Sequence, residues 1–407
     1  MKAIVYDFSL LRFLAMTVGG KLTKRTLWSP ISPVSLRDVP EPTLPNEDWV
    51  IVKTAMSGFC ASDMSAIMMA DSPTMTPFAS FPFILGHENA GVIFEKGKNV
   101  TGFSEGDRVA VNPGLSCEAR GMKEMCPTCR RGDFSACENM AEGVVAKGVN
   151  TGYSTETGGG WSPYFRAHTS QLFALDGVTD EEGVMLDPFC SSLHPVMQHF
   201  PENDDTVLII GAGPLGLSAV QALRGLGSTS HIIVLERSTL AAERAKQAGA
   251  DRVISSTGKG QTIYDIIGEI TKAKVYKPIL GDQILMGGVN IVYDTVGHAN
   301  TMEMSLRILT TGGVYACIGL AAVEKVDLTP LWLKKLTIAG SLGYGIEDYN
   351  GKPTKTWDVA LDLVRTKKVD IARYVTHRFT IDEYREAIKV NVFKEKYEAV
   401  KTVFVFE

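Results

Sequence analysis

Between residues 206 and 318 the chain alternates continuous apolar runs with helix-patterned ones, and this constrains its fold more than any other feature. Thr206-Val207-Leu208-Ile209-Ile210, His231-Ile232-Ile233-Val234-Leu235, Arg252-Val253-Ile254, Val289-Asn290-Ile291-Val292-Tyr293 and Gly313-Val314-Tyr315-Ala316-Cys317-Ile318 read as strands. Residues 215–226, 240–248 and 262–271 read as helices between them. Strands without a polar face are buried on both sides, and alternation with helices achieves this in a parallel, doubly wound sheet. Residues 1–185 read differently, as short β-branched runs punctuated by Gly, Pro and Asp, which predicts a largely antiparallel β domain. Beyond about residue 340 the pattern turns mixed and ends in the strand 401–406, expected to return to the first domain. The division is therefore residues 1–187, 188–340 and 341–407, two domains in 407 residues.

Gly211-Ala212-Gly213-Pro214-Leu215-Gly216 joins the first apolar strand to its helix. Glycines there permit a tight turn and close approach of the backbone to a pyrophosphate, whose charge the helix N-terminus stabilises. Glu236 closes the second strand, 20 residues after Gly216. A carboxylate at that point accepts hydrogen bonds from ribose hydroxyls and repels a 2′-phosphate, which favours NAD over NADP. Arg237 beside it offers a phosphate contact and works against that preference. The bland alternative is a glycine turn that binds nothing.

Two groups of residues suit zinc. Cys60, in Gly58-Phe59-Cys60-Ala61-Ser62-Asp63, and His87, in Gly86-His87-Glu88, supply a thiolate and an imidazole. A catalytic zinc takes about three protein ligands and keeps one position open, so a third ligand is expected farther along. The alternative is a buried free cysteine and a core histidine on either side of a turn. Cys126-Pro127-Thr128-Cys129, with Cys117 upstream and Cys137 downstream, suits a closed structural site of four thiolates. Seven cysteines, four of them crowded into residues 117–137, point to metal before disulfides in a large intracellular chain.

With Gly106-Asp107-Arg108-Val109, Gly158-Gly159-Gly160 and Lys335-Leu336-Thr337-Ile338-Ala339-Gly340-Ser341, these pieces resemble the zinc-dependent medium-chain dehydrogenase/reductase family of alcohol, polyol and sugar dehydrogenases. The resemblance covers nearly the whole length. It implies a GroES-like catalytic domain, a Rossmann domain, and an active site in the cleft between them. It also implies catalytic and structural zinc, a nicotinamide cofactor, a small alcohol or carbonyl substrate, and a homodimer or homotetramer. Asp187, seven residues before His194, matches the acidic third ligand of relatives acting on polyols, sugars and secondary alcohols. Cys190 is softer but out of register. Glu88 is expected to approach the metal transiently and Asp63 to orient His87. Ser62 matches the hydroxyl that receives the substrate proton.

The chain also departs from the family pattern. Eight residues separate Cys117 from Cys126 where two are usual, and Ser65 stands where alcohol-specific members often carry a proton-relay histidine. The section between Tyr6 and Trp49 is longer than usual and acquires no role from the sequence.

A net charge of −5 argues against nucleic acid or an anionic membrane as the main partner, and neither is expected. The apolar run after Asp7 is broken by Arg12, a poor signal-peptide core, and cytoplasm is the default location. Three other activities compete with alcohol dehydrogenation. A zinc-free enoyl or quinone reductase would lack the Cys–His–acid trio. A redox-neutral lyase or epimerase would retain its NAD, and a non-catalytic zinc and nucleotide binder would need neither Ser62 nor an open ligand position.

Overall fold

The protein's structure, a computed structural model, describes residues 1–255, 261–320 and 325–407. Six parallel strands form one sheet in the order Arg252–Ile254, His231–Leu235, Thr206–Ile210, Val289–Asp294, Leu309–Cys317 and Thr337–Gly340. Numbered along the chain this is 3-2-1-4-5-6, the doubly wound order whose reversal point marks a dinucleotide crevice. The helices Pro214–Gly225, Thr239–Ala248 and Ile263–Thr271 fall within a residue of expectation. The fifth strand starts at Leu309, four residues earlier than its apolar run suggests. Gly312 takes a left-handed φ of 79°, and the strand runs through it. An antiparallel pair, Lys274–Tyr276 with Ile284–Met286, was not legible in the periodicity.

The second large sheet has seven strands. Its centre is Trp49–Gly58, which pairs antiparallel with Asn89–Lys96, with Tyr164–His168 and with the C-terminal strand Lys401–Val405. The last strand therefore lies beside the central strand of the antiparallel sheet. Helix Leu186–Gln198 links the two units. Its Leu186, Phe189, Cys190, Leu193 and Val196 are fully buried in one cluster with Ala90 and Ala110 of the antiparallel sheet and Val207, Ile209 and Tyr293 of the parallel one. At about 1.5–3 kcal/mol for each large apolar side chain, this shared core fixes the cleft between them.

The long N-terminal section forms a third, smaller sheet, Val34–Asp38, Lys2–Tyr6 and Phe83–Ile84, and a helix, Leu10–Leu22. Ser9 caps that helix by accepting the Arg12 amide at 3.2 Å. Among the described residues no helix is long and apolar enough to cross a membrane.

Candidate active site and dinucleotide cleft

Pairing of Ser57 with Asn89 brings the loop after Gly58 and the loop before Asn89 to the same end of the antiparallel sheet. Cys60 is the N-cap of helix Ala61–Met68. Its amide donates to Asp63 Oδ2 at 2.8 Å, and Asp63 Oδ1 lies 3.4 Å from His87 Nδ1. One fully buried carboxylate thus accepts the Cys60 amide and faces the His87 imidazole. Gly86 makes the approach possible: its φ is 95°, and a Cβ there would stand 2.3 Å from the Trp161 indole. Glu88 needs a similar allowance, because a Cβ on Gly58 would fall 2.0 Å from its Oε2.

The outcome is a cluster in which Cys60, His87 and Glu88 each present a ligand atom, all within 4.8 Å of one another. Glu88 is therefore an immediate member of the cluster. Asp187, expected as the third ligand, lies in the first turn of helix Leu186–Gln198 and accepts the Tyr344 hydroxyl at 2.9 Å. Burial pushes the Asp187 carboxyl up to about 6, with His87 opposing and Glu88 reinforcing the shift, so it lies within their electrostatic reach. Cys190 is buried, points its thiol toward the Thr356 carbonyl at 3.9 Å, and takes no place in the cluster.

The donor set fits a borderline-soft cation. Burial alone would disfavour a charge on His87, but Asp63 and Cys60 prevail and hold its proton affinity well above an ordinary imidazole. Lys401 behaves alike: although fully buried, it is raised by Glu88 and Cys60. His87 Nδ1, Asp63 Oδ1 and Glu88 Oε2 are all buried without a well-formed hydrogen bond. A thiol, an imidazole and a carboxylate converging in a buried pocket are donors that could hold such a cation. Ser62 Oγ lies 3.4 Å from His87 Nε2, at the mouth of the cluster.

Lys401 and Tyr344 are the site residues that sequence reasoning missed. Lys401 opens the C-terminal strand, donates to the Phe59 carbonyl at 3.3 Å and forms a buried ion pair with Glu88. A lysine leading an otherwise apolar strand was the available signal. Tyr344 follows Gly343 in a loop that offers no pattern.

Cys117, Cys126, Cys129 and Cys137 converge, all buried. The sulfurs of Cys117 and Cys137 are 3.6 Å apart, close to the roughly 3.8 Å edge of a tetrahedron with zinc–sulfur bonds of about 2.3 Å. Amides of Cys126, Cys129, Glu138 and Asn139 all point at sulfur, at 3.2–3.4 Å. That pattern stabilises thiolates. The long spacing after Cys117 is absorbed by a loop whose Arg120 is wholly buried and donates to the carbonyls of Leu115, Glu142 and Gly148.

In the parallel unit, Gly211 takes a φ of 90°, and a Cβ there would lie 2.9 Å from Thr295 Oγ1. A Cβ on Gly216 would stand 1.9 Å from the Gly211 carbonyl oxygen, so only glycine lets the helix pack on the turn. Gly213 faces open space and starts helix Pro214–Gly225 without a side-chain cap, leaving its first amides for an anion. Leu215 turns its carbonyl to the Ser192 hydroxyl at 2.9 Å, tying this helix to helix Leu186–Gln198. Glu236 accepts the amides of Ala212 at 2.7 Å and Ser238 at 2.8 Å, which holds its carboxylate at the rim of the cleft. Gly213, Pro214, Glu236, Arg237 and Lys394 line that cleft together. Gly216→Ala forces the turn and the helix apart, so it is expected to weaken NAD affinity by about tenfold or more and to lower Tm by several degrees as well, as read by fluorescence titration and calorimetry.

Two family models match the chain: the alcohol dehydrogenase GroES-like domain over residues 46–177 and the zinc-binding dehydrogenase over residues 214–364. L-idonate 5-dehydrogenase of Vitis vinifera is 30% identical over 338 residues, covering 82% of this chain and 81% of that protein. Sorbitol dehydrogenase of Halalkalibacterium halodurans is 28% identical, covering 87% and 91%. Among solved structures, galactitol-1-phosphate dehydrogenase from Escherichia coli superposes with a TM-score of 0.74 at 23% identity, over 100% of both chains. The chain belongs to the zinc-dependent medium-chain dehydrogenase/reductase family, with a GroES-like unit joined to a Rossmann unit. It is an oxidoreductase of that family's alcohol and polyol type.

Proposed function

We propose that the protein is an NAD-dependent dehydrogenase of a polyol, sugar or secondary alcohol, with Cys60, His87 and Glu88 holding the catalytic zinc and Asp187 beside them. The convergence of those three ligand atoms within 4.8 Å, next to a glycine turn built for a dinucleotide, carries this reading. Bound there, zinc supplies Lewis acidity toward the substrate hydroxyl, and the nicotinamide is the hydride acceptor.

The chain's own residues do the rest. Asp63 fixes Cys60 and His87 from behind. Lys401 neutralises and aims Glu88. Ser62 Oγ, beside His87 Nε2, relays the proton that leaves the substrate hydroxyl, passing its own hydroxyl proton on to water as it takes the substrate's. Asp187 and Tyr344 supply hydrogen-bonding groups for a substrate with more than one hydroxyl. Closed packing of Phe59, Trp161 and Phe404 behind the Cys60 loop keeps water out from that side. Gly211, Gly213, Pro214, Leu215 and Gly216 seat the pyrophosphate, and Glu236 holds the adenosine ribose.

Glu236 selects NAD against NADP by charge, with Arg237 opposing it. Glu236→Ser is expected to lower kcat/KM for NAD by about tenfold and raise it for NADP. Equal ratios before and after would remove Glu236 from cofactor selection. A spectrophotometric screen of polyols, sugars and simple alcohols with each cofactor tests the reading as a whole. Release of NADH with a secondary or polyhydric alcohol supports it. Tightly held NAD with no net reduction points instead to a lyase or epimerase.

A further inference from the structure

The section between Tyr6 and Trp49 lies almost wholly before the matched GroES-like domain, which begins at residue 46, and supplies none of the residues of the metal-ligand clusters or the cofactor cleft. Helix Leu10–Leu22 is fastened to the body by one side: Met16 is buried with Leu27, Met64, Trp161 and Phe404. Its other side is apolar and uncovered. Leu11, Leu14 and Val18, spaced i, i+3, i+7, are 80%, 54% and 63% exposed, and Leu10 beside them is 67% exposed. Phe8 extends the patch and stacks at a tilt against exposed Phe81, ring centroids 5.5 Å apart. A contiguous apolar surface of this kind on a folded protein marks an interaction site.

Charge identifies what covers it. Residues 8–37 contain Arg12, Lys21, Lys24, Arg25 and Arg37 and no acid, a net of +5 in a chain whose total is −5. Arg12 is engaged by the Ser32 carbonyl and Arg37 by Asp7, whereas Lys24 and Arg25 stand exposed just past the helix end. We propose that this apolar helix, with the basic turn at its end, is a docking surface for an anionic lipid bilayer. A helix of 13 residues is roughly 20 Å long. It lies in the interface with its apolar side in the acyl boundary and Lys24 and Arg25 at the head groups. The whole-chain charge conceals this segment, and the expectation of no membrane partner does not extend to it. The proposal is independent of the reading of the active site.

The test is co-sedimentation of the full-length, zinc-loaded protein with vesicles of phosphatidylcholine, alone or mixed equally with phosphatidylglycerol. Partitioning is expected to be at least tenfold stronger onto the anionic vesicles and to be lost in concentrated salt. Leu11→Ser/Leu14→Ser/Val18→Ser is expected to abolish it. The exposed pair Lys24→Glu/Arg25→Glu, which leaves the packed side of the helix untouched, is expected to weaken it about tenfold or more. Both variants keep their dehydrogenase turnover. Absent or composition-independent binding by the parent protein overturns the proposal. So does retained binding in the charge-reversed pair. A parent that ignores vesicles but dissociates to a smaller species in the serine variant, by light scattering, assigns the face to a second copy instead.

Discussion

Cys60→Ser and His87→Ala are each expected to lower kcat/KM by about a thousandfold or more, while NAD affinity changes by less than about threefold. Loss of the Lewis acid is worth several kcal/mol of barrier, and about 4 kcal/mol corresponds to three decades in rate. The effect is confined because the two functions lie on different units. Cys60 and His87 hang from loops at one end of the antiparallel sheet, whereas the glycine turn and Glu236 belong to the parallel sheet. Cys60→Ser keeps the capping amide bond to Asp63 and the size of the side chain, so folding is preserved and the lost thiolate is isolated. Steady-state kinetics with NADH fluorescence titration reads both quantities. A variant losing cofactor affinity in proportion to turnover would show that the two units are not separable in this way.

The second large effect concerns the four-cysteine lobe. Cys129→Ser is expected to remove one zinc per chain, lower Tm by about 5–10 °C and reduce kcat roughly tenfold. The lobe has little core of its own: its cluster is the four cysteines with Met122 and Phe134 packed against it. A metal bound to such a loop contributes its binding free energy to folding. Arg120 sharpens the expectation. Among the described residues its buried guanidinium has carbonyl partners but no carboxylate, and Cys117 and Cys137 are the negative groups acting on it. Four thiolates around one divalent ion leave a net negative charge to balance this arginine, and removing it strands a buried cation. The catalytic consequence follows a physical path. Ser135, between Cys129 and Cys137, accepts the Tyr344 amide and donates to the Tyr344 carbonyl, both at 2.9 Å, and the Tyr344 hydroxyl holds Asp187. A loosened lobe releases Tyr344 and with it the position of Asp187. Metal analysis, calorimetry and kinetics on one preparation measure all three effects. Unchanged zinc content and Tm would remove the lobe from the structural account.

Much of this was legible in the sequence because it is local. Unbroken apolar strands fixed the parallel sheet, and a glycine turn with an acidic residue at the next strand end located the cofactor cleft. Cys60, Asp63 and His87 were readable because a helix cap and a glycine turn impose nearly all of their geometry. The four cysteines remained recognisable despite the long spacing, since a loop of eight residues closes at little more entropic cost than one of two. What escaped was set by long-range packing. Lys401 is one such residue: it pairs with Glu88, itself named from the sequence, across 313 residues. Asp187 has the right register along the chain, yet its nearest polar partner is Tyr344, brought in by a loop that only the lobe positions. The N-terminal helix was obscured because a whole-chain charge of −5 averages over a segment of opposite sign.

The central claim, hydride transfer between an alcohol and NAD at a zinc held by the Cys60 cluster, is tested most directly by NADH formation in the same enzyme with and without its metal. With a substrate found by the alcohol and polyol screen, activity should disappear after chelation and return on adding zinc, in step with the metal content of the Cys60 site. Undiminished NADH formation by a metal-free preparation would contradict the account.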